Sequence, residues 1–388
     1  MTGDVLRVGV NLLWLVPGVV GGSEEYTTRL LRGLAEDLPE DLHLTLFALP
    51  SFAEAHPDLV AAYPTVTAPV DGHRKGLRVG AEATWLRRAL ADRRVDLVHH
   101  AGGVVPPGPR GRHAVALTIH DLQPLVMPEN FSSVKRRWLA TMLPRSVQGV
   151  GAVLTPSDPT ADDVSRLLGV ARDRVRTVPH GIEPPRPVPA ERVAEVRDRY
   201  RLGDQVILYP AITYPHKDHV TLVRAFARLA RGRPDLTLVL SGGAGPSEAA
   251  VAAAIRESGV GDQVRRLGRV PWDDLRALYG AATVVAVPSR FEGFGAPALE
   301  AMAAGVPVVV ADATALPWVV GDAGLKVRPG DVRQWEVELA RVLDQPAVHR
   351  TLAEAGRVRA ARFTWDRAAA ALAAGYRAAA SVGETGSA

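Results

Sequence analysis

The sequence predicts an α/β protein built from two doubly wound parallel sheets. Three observations carry this prediction. Short apolar runs alternate with longer segments of helical period, and the runs are apolar throughout, which is typical of parallel strands covered on both faces. The alternation pauses once, at a Pro-rich stretch over residues 181–189, where repeated proline disfavours both helix and sheet. A chain of 388 residues has room for two or three domains.

The predicted elements of the first half are six strands with helices between several of them. The strands are Leu6–Val10, His43–Ala48, Val95–Val98, Ala114–Ile119, Gly151–Thr155 and Val175–Val178. The helices are Glu25–Leu38, Leu77–Arg93, Val134–Val147 and Thr160–Leu168. This strand–helix order predicts the first doubly wound sheet.

The second half repeats the pattern. Its predicted strands are Val206–Tyr209, Leu236–Leu240, Val264–Leu267, Val284–Val287, Val306–Val310 and Gly324–Val327. Its predicted helices are Val220–Ala230, Ser247–Glu257, Asp273–Ala281, Pro297–Ala304 and Val332–Leu343. Ligands of such sheets bind beyond the carboxyl ends of the strands, so the loops that follow the strands are the first place to look for a site.

Domain boundaries follow from these elements. Residues 1–184 form the first domain, residues 185–204 a linker and helix, and residues 205–365 the second domain. Residues 366–380 form a C-terminal helix that can pack back on the first domain, and residues 381–388 a flexible tail.

Composition excludes several classes of function. The chain has 46 basic and 42 acidic residues, a net charge of +4, which does not indicate a nucleic-acid partner. Cysteine is absent, which excludes disulfides, thiolate nucleophiles and cysteine zinc sites. Neither an Asp-x-Asp pair nor a cluster at metal-ligand spacing occurs, so no metal cofactor is expected.

The same sequence lacks a signal peptide and an apolar run long enough to span a bilayer, so a cytoplasmic protein is expected. A basic run at Lys135–Trp138 lies on a predicted helix. Peripheral contact with an anionic membrane is one interpretation of this run, and a solvated helix face is the favoured one.

The segment Ser289–Glu300 carries the strongest functional signal. It follows a predicted buried strand and opens a helix, and Gly293 and Gly295 let the backbone approach a ligand. Backbone N–H groups and the positive dipole end at such a helix start favour an anion. Glu292 and Glu300 can accept hydrogen bonds from vicinal hydroxyls of a ribose or hexose. A glycine-rich turn with a glutamate near the helix start is the alternative.

This segment resembles the donor-site motif of the group 1, family 4 glycosyltransferases, which have the GT-B fold of two Rossmann-like domains facing a central cleft. The motif is Glu-Gly-Phe-Gly-x-Pro-x-Leu-Glu, and the sequence matches it from Glu292 to Glu300. The resemblance implies that Glu300 holds the ribose and that Glu292 contacts the donor sugar. It also implies donor contacts at Gly293, Phe294 and Gly295, with the backbone of the latter two facing sugar hydroxyls.

Lys217 follows the first predicted strand of the second half. An ammonium group there can neutralise a leaving diphosphate, although a solvated loop lysine would look the same. The resemblance implies a pyrophosphate-binding, catalytic role for this lysine. Family members usually carry an arginine five residues earlier, where this chain has Ile212; Thr213, His216 or Arg290 are candidates to share its charge.

The first half has its own glycine-rich loop, Pro17–Glu25, between a predicted strand and helix. Its backbone can accept an anion, but on the residues alone an ordinary turn is the simpler interpretation. The loop resembles the family's first loop, in which two glycines precede an acidic residue. The resemblance therefore implies that Gly21 and Gly22 lie against the diphosphate and the acceptor.

His120 ends a predicted strand and precedes Asp121. The residues alone leave two interpretations: a core histidine satisfied by Asp121, or an imidazole that contacts a sugar or phosphate. The resemblance implies a catalytic contact with the donor sugar near its reacting carbon. His99 and His100 end an earlier strand, and for them a structural role is favoured over an acceptor pocket. Nucleobase contacts are expected from backbone atoms around Arg269–Val270, which makes Val270 a donor-binding candidate.

The sequence therefore predicts a glycosyltransferase. It is expected to move a sugar from a nucleoside-diphosphate sugar to a hydroxyl of a small-molecule, glycan or lipid acceptor, with retention of anomeric configuration and without a metal. A sugar-nucleotide epimerase and a non-catalytic nucleotide-sugar-binding protein are alternatives on the same fold. A glycoside hydrolase using Glu292 and Glu300 is disfavoured by the two-sheet organisation and by Lys217. The Arg- and Ala-rich composition favours bacterial natural-product or envelope glycans as products.

Overall fold

The computed structural model describes residues 5–19, 21–109, 111–183 and 187–385. The chain divides into two compact units. Unit 1 comprises residues up to Gly181 together with residues from Thr364 onward, and unit 2 comprises Ile182–Phe363. Each unit has its own parallel sheet and its own apolar core.

The sheet of unit 1 has seven parallel strands in the order β3-β2-β1-β4-β5-β6-β7. The strands are β1 (Leu6–Asn11), β2 (Leu42–Ala48), β3 (Thr65–Thr67), β4 (Leu97–His100), β5 (Ala114–Thr118), β6 (Ala152–Thr155) and β7 (Val175–Thr177). The helices between them are α1 (Gly22–Glu36), α2 (Pro50–Ala55), α3 (Pro57–Ala62), α4 (Lys75–Ala83), α5 (Trp85–Asp92), α6 (Gln123–Val126), α7 (Ser133–Val147) and α8 (Asp158–Leu168).

The sheet of unit 2 has six parallel strands in the order β10-β9-β8-β11-β12-β13. The strands are β8 (Gln205–Pro210), β9 (Leu236–Ser241), β10 (Val264–Gly268), β11 (Val284–Val287), β12 (Val308–Ala311) and β13 (Gly324–Val327). The helices are α9 (Ala190–Tyr200), α10 (His219–Leu229), α11 (Glu248–Ser258), α12 (Trp272–Ala281), α13 (Ala296–Ala303), α14 (Leu316–Val320), α15 (Val332–Asp344) and α16 (Pro346–Ala360).

Both sheets are doubly wound, which confirms the predicted fold class. In each sheet the winding direction reverses beside the first strand, between β1 and β4 in unit 1 and between β8 and β11 in unit 2. Such a reversal opens a crevice at the carboxyl ends of the two strands, because the loops that follow them turn to opposite faces of the sheet. The two switch points are therefore where polar side chains can meet a ligand.

The C-terminal helix α17 (Trp365–Thr385) packs on α1, β5 and β6 of unit 1. Its approach to the sheet is close, because a Cβ atom at Gly151 would lie 2.1 Å from the carbonyl oxygen of Ala379. The helix extends five residues beyond its predicted end at 380, into the stretch expected to be a flexible tail, whereas its apolar positions face the core only as far as Ala380. Residues 386–388 of that predicted tail lie outside the described residues.

The predicted linker also differs from the structure. The boundary between the units falls at Gly181, and helix α9 packs on α12 within unit 2 rather than standing between domains. The buried Val196 joins the unit 2 core, which explains this placement. Residues 184–186 of the predicted linker lie outside the described residues.

Several elements differ from the prediction or were absent from it. The single helix predicted over Leu77–Arg93 is two helices, α4 and α5, because Thr84 has φ −121° and ψ −64°, outside the helical region. Strand β4 runs to His100 rather than ending at Val98. The elements β3, α2, α3, α14 and α16 were absent from the prediction.

Replacing Gly151 with Ala tests how closely α17 packs. The added methyl group would overlap the Ala379 carbonyl, so we expect a loss of about 1–3 kcal/mol in unfolding free energy. Gly80→Ala is the matched control, because nothing lies within 4 Å of a Cβ at this position in α4. The control should be neutral or slightly stabilising. Urea unfolding midpoints measure both; equal midpoints for the two variants would contradict the packing described.

Candidate functional site

An ion pair spans the switch point of the unit 2 sheet. Lys217 ends a short 3-10 turn after β8, and Glu292 lies in the loop after β11. The Lys217 Nζ atom lies 2.6 Å from Glu292 Oε1. Only 18% of the lysine side chain and 12% of the glutamate side chain are exposed, so water screens the two charges weakly. The two residues expected from the sequence to act on one donor are thus in direct contact.

Tyr209 holds the two loops of this pair in place. Its buried hydroxyl donates to the Lys217 carbonyl oxygen at 2.9 Å, and it lies 2.9 Å from the Ser289 hydroxyl of the loop after β11. Burial raises the pKa of Tyr209 well above its usual value, so the hydroxyl keeps its proton. The Glu292 backbone N–H donates to Thr314 Oγ1 at 2.9 Å, which holds the backbone of the β11 loop at this residue.

Helix α13 begins beside Glu292. Gly295 caps it with φ +103°, a conformation that favours glycine, and a Cβ there would lie 2.6 Å from Leu316. The positive end of the helix dipole is therefore directed at the carboxyl edge of the sheet, as an anion site requires. The Phe294 side chain is buried and packs edge-on against Trp318 and Phe363, so this residue can reach a ligand only through its backbone.

Glu300 lies in α13 and receives a hydrogen bond from Tyr279 of α12. The Tyr279 hydroxyl donates to Glu300 Oε2 at 2.6 Å. Burial raises the pKa of Tyr279 well above its usual value, and the nearby Glu300 charge raises it further. The phenol thus remains a donor and orients the carboxylate. Sequence reasoning missed both tyrosines, although a tyrosine at the end of an apolar run, as at Tyr209, was a visible signal.

The candidates to share charge with Lys217 behave differently. Burial, and secondarily Lys217, lower the pKa of His216 to about 4, so this imidazole is neutral near pH 7. The Thr213 hydroxyl is engaged, since it donates to Glu248 Oε2 at 2.8 Å. Arg290 Nε donates to the buried Asp218 at 2.8 Å, and half of the arginine side chain is exposed. Arg290 is therefore the charged member of the three.

Val270 lies in the loop between β10 and α12, and its half-buried side chain packs against the unit 2 core. Its backbone is the part placed at the carboxyl edge of the sheet. The contact between these backbone atoms and a nucleobase stays a prediction.

In unit 1, Gly21 caps helix α1 with φ +74°, and Gly22 is its first residue. A Cβ at either glycine would meet nothing within 4 Å, so both face open space. Glu24, in the first turn, accepts a hydrogen bond from the Gly18 N–H at 2.8 Å. The helix start is therefore exposed, and an acidic side chain partly compensates its dipole.

His120 does not take Asp121 as its partner, contrary to one of the two interpretations of the sequence. Its Nε2 lies 2.9 Å from the Ala101 carbonyl oxygen, while Asp121 accepts from the Gln123 N–H. Burial lowers the pKa of His120 to about 4, so the ring is neutral with its proton on Nε2. Its Nδ1 can accept a hydrogen bond, and the ring lies against Trp14 and Tyr26.

His99 and His100 are held within unit 1, in agreement with the favoured structural role. His99 contacts the Thr118 hydroxyl at 2.7 Å and the Tyr376 hydroxyl at 3.0 Å. His100 lies 3.1 Å from the Asn11 amide nitrogen. Within the described ranges, no group of three His, Asp or Glu residues is placed to hold a metal ion. In the same part of the chain, no helix combines the length and the apolar character needed to cross a bilayer.

Two family models match the chain. The model described as "Glycosyl transferases group 1" matches residues 195–359, and the one described as "Glycosyltransferase Family 4" matches residues 20–186. Together they cover most of both units.

Similar proteins point the same way. The O-antigen chain mannosyltransferase B of Escherichia coli is 32% identical over 276 residues, which is 70% of this chain and 71% of that protein. A D-inositol 3-phosphate glycosyltransferase of Saccharomonospora viridis is 39% identical over 235 residues, 57% of this chain and 54% of that protein. The chain thus spans about half the length of the second relative.

A solved structure extends the likeness to nearly the whole chain. Anabaena Alr3699/HepE, solved in complex with UDP and glucose, has a TM-score of 0.73 at 18% identity, covering 95% of this chain and 98% of that one. At 18% identity, this structural likeness establishes a shared fold and nothing more.

Buried histidines in unit 1 predict acid-sensitive stability. Burial lowers the pKa of His99 to about 3, of His120 to about 4 and of His180 to about 3. Above pH 6.5, the ordinary histidine pKa, these histidines are neutral in both the folded and the unfolded chain, so the unfolding free energy keeps its full value. It decreases as the pH falls towards 4, by about 1.4 kcal/mol per pH unit for each group, because the unfolded chain takes up protons first.

We therefore expect the urea midpoint of unit 1 to fall between pH 7.5 and pH 5. His180→Asn should make that pH dependence shallower, whatever its effect at pH 7.5, and the exposed His43→Asn should leave it unchanged. Midpoints that stay constant across this range would show that these histidines are not held neutral.

Proposed function

Because the chain belongs to the group 1, family 4 glycosyltransferases of GT-B fold, we propose that it transfers a sugar from a nucleoside-diphosphate sugar to an acceptor hydroxyl. Unit 2 binds the donor and unit 1 the acceptor. The Lys217–Glu292 ion pair at the unit 2 switch point is the observation that carries the proposal. It places one cation and one hydroxyl-binding carboxylate where the diphosphate and the sugar of one donor would lie side by side.

The donor binds along the carboxyl edge of the unit 2 sheet. Lys217 and the N–H groups at the start of α13 bind the diphosphate. Glu300, oriented by Tyr279, accepts from the ribose hydroxyls. Glu292 accepts from a hydroxyl of the sugar while it keeps its contact with Lys217. Backbone atoms near Val270 meet the base.

Catalysis in this proposal rests on the leaving group. As the glycosidic bond breaks, negative charge develops on the diphosphate, and donors already in place stabilise it at no cost in reorganisation. The acceptor attacks the face from which the diphosphate departs, and a phosphate oxygen takes the acceptor proton, which retains the anomeric configuration. No protein nucleophile and no metal take part. The neutral His120, through Nδ1, accepts a hydrogen bond from a substrate hydroxyl.

Several nucleotides are candidates for the donor. Alr3699/HepE was solved with UDP and glucose, and the Escherichia coli relative is named a mannosyltransferase, so glucosyl and mannosyl donors, with UDP as the first nucleotide, are the ones to try first. Bacterial envelope or natural-product glycans are the proposed products.

A thermal-shift panel of UDP, GDP, dTDP and ADP tests the donor site. One nucleotide should raise the unfolding temperature, both with and without EDTA. A ligand present at one hundred times its Kd raises the free energy of unfolding by about 2.7 kcal/mol. The corresponding monophosphate should stabilise less, because it lacks the phosphate that Lys217 contacts. No stabilisation by any of the four would contradict the proposal, and a shift abolished by EDTA would contradict the metal-free grip.

Lys217→Ala should lower kcat by about a hundredfold or more, equivalent to roughly 3 kcal/mol of lost leaving-group stabilisation. Lys326→Ala is the control, because Lys326 lies exposed on β13 and has no part in the site. Product analysis by NMR separates the alternatives. Conversion of the donor without acceptor would indicate an epimerase, and binding without turnover would indicate a nucleotide-sugar-binding protein. An unchanged kcat in the lysine variant would remove Lys217 from the mechanism.

A further inference from the structure

A chain of hydrogen bonds in unit 1 runs from the surface to the glycine-rich loop that leads into α1. Its four side chains are those of Asp58, Arg32, His56 and Glu24, and it ends at the backbone N–H of Gly18. Glu24 and Arg32 belong to α1, Asp58 belongs to α3, and His56 stands between α2 and α3. The sequence could not show this arrangement, because α1 and α3 come together only in the fold.

Glu24 is bonded through both of its carboxylate oxygens. Oε2 accepts from the Gly18 N–H at 2.8 Å, and Oε1 lies 3.3 Å from His56 Nε2. Gly18 has φ +74°, and beside it the Val19 N–H donates to the Val16 carbonyl oxygen at 3.1 Å, so the chain turns at this point. The bond to Gly18 therefore ties this turn to the first turn of the helix that follows.

Arg32 determines which nitrogen of His56 carries the proton. Arg32 Nη2 lies 3.4 Å from His56 Nδ1, and a guanidinium can only donate. Nδ1 must therefore accept, which leaves the proton of the neutral ring on Nε2, facing Glu24. Arg32 is itself held by Asp58, with Nε–Oδ2 at 2.6 Å and Nη2–Oδ1 at 3.3 Å. Glu24 thus accepts two hydrogen bonds, one from His56 and one from Gly18.

The side chains of this hydrogen-bond chain become less exposed towards the loop. Those of Arg32 and Asp58 are 40% and 52% exposed, whereas those of His56 and Glu24 are 13% and 15% exposed. The His56 ring packs against the buried Phe52, with the ring centroids 4.8 Å apart. An exposed ion pair such as Arg32–Asp58 adds little stability by itself, so its effect lies in the orientation that it gives to His56.

The neighbouring Glu25 shows what an ordinary acidic residue in this helical turn does. Its side chain is 60% exposed and pairs with Arg29 of the same helix. A carboxylate in the first turn already interacts favourably with the helix dipole, and that interaction requires no further partner. Glu24 instead contacts the backbone of the preceding loop and a ring held by α2 and α3. The dipole alone does not account for this second set of bonds.

We propose that Glu24 is a positioning residue for the glycine-rich loop, and that His56 keeps the Glu24 carboxylate directed at Gly18. The loop then has one conformation before a ligand arrives, so binding does not have to order it. Gly21 and Gly22, at which a Cβ would meet nothing within 4 Å, belong to the same loop. That the ordered loop serves sugar transfer rests on the proposed function; the bond that holds Gly18 does not.

Amide hydrogen exchange, measured by residue in ¹H–¹⁵N spectra without any ligand, tests the hold on Gly18. Glu24→Met keeps the length of the side chain and removes both acceptors, so exchange at Gly18 should become about tenfold faster. His56→Leu should accelerate it by a smaller factor, because Glu24 remains but loses its second partner. The matched controls are Glu36→Met, exposed near the other end of α1, and His43→Leu, exposed on β2; neither should change the rate.

Kinetics on the same variants test the positioning role. With the donor that the thermal-shift panel identifies, kcat should fall about tenfold in Glu24→Met, because the loop is no longer held in place. The temperature shift caused by the nucleotide should stay that of the unaltered chain, since unit 2 binds the donor in the proposed function. A merely structural defect would lower the unfolding temperature of the variant with and without nucleotide and would leave kcat of the folded fraction unchanged.

Unchanged exchange at Gly18 in Glu24→Met would overturn the proposal, whatever happens to activity. Faster exchange together with an unchanged kcat would overturn the positioning role, and exchange in His56→Leu at the rate of the unaltered chain would remove His56 from it. If the unaltered chain neither binds a nucleotide nor transfers a sugar, the proposed function fails. The exchange rates still decide in that case whether Glu24 holds the loop.

Discussion

The Lys217–Glu292 ion pair is the interaction that joins the two loops at the switch point of the unit 2 sheet. The two side chains come from loops after β8 and β11; Tyr209 contacts both loops, and Thr314 holds the second one as well. Pairing one charge of each sign in a half-buried position avoids leaving either alone in a poorly screened place. It also keeps the ammonium at a fixed point, so that in the proposed function a diphosphate would meet a cation already positioned and would share it with the carboxylate.

The two sheets share a doubly wound topology but carry different side chains at their switch points. Each reverses its winding beside its first strand, and each brings polar groups from the two flanking strand ends together. In unit 2 these groups are an ammonium and a carboxylate, suited to a charged ligand. In unit 1 they are an amide, an imidazole and a carboxyl whose pKa is raised by burial. Side chains of different charge thus occupy equivalent places in two similar folds.

The sequence predicted the positions of Glu292, Glu300 and Lys217 well, because a buried strand, a loop and a helix start can be recognised locally. It could not predict that Lys217 contacts Glu292, because strand order is a long-range property and 75 residues separate the two. For the same reason it missed Tyr279 beside Glu300 and Glu82 beside Asn11. It ended α17 at 380, five residues early, because residues 381–385 have no apolar periodicity that would mark a continuing helix.

Position 212 holds an isoleucine where the proposed function calls for a positive charge. Ile212 cannot neutralise a diphosphate, and His216 is neutral because burial and Lys217 hold its pKa to about 4. Arg290 is anchored through Nε to Asp218, which leaves the two terminal nitrogens of a half-exposed guanidinium for another acceptor. Asp218 adopts φ +48°, an uncommon conformation for aspartate, and is the residue after Lys217. In the proposed function, the second positive charge at the diphosphate would therefore come from Arg290 of the β11 loop rather than from the β8 loop.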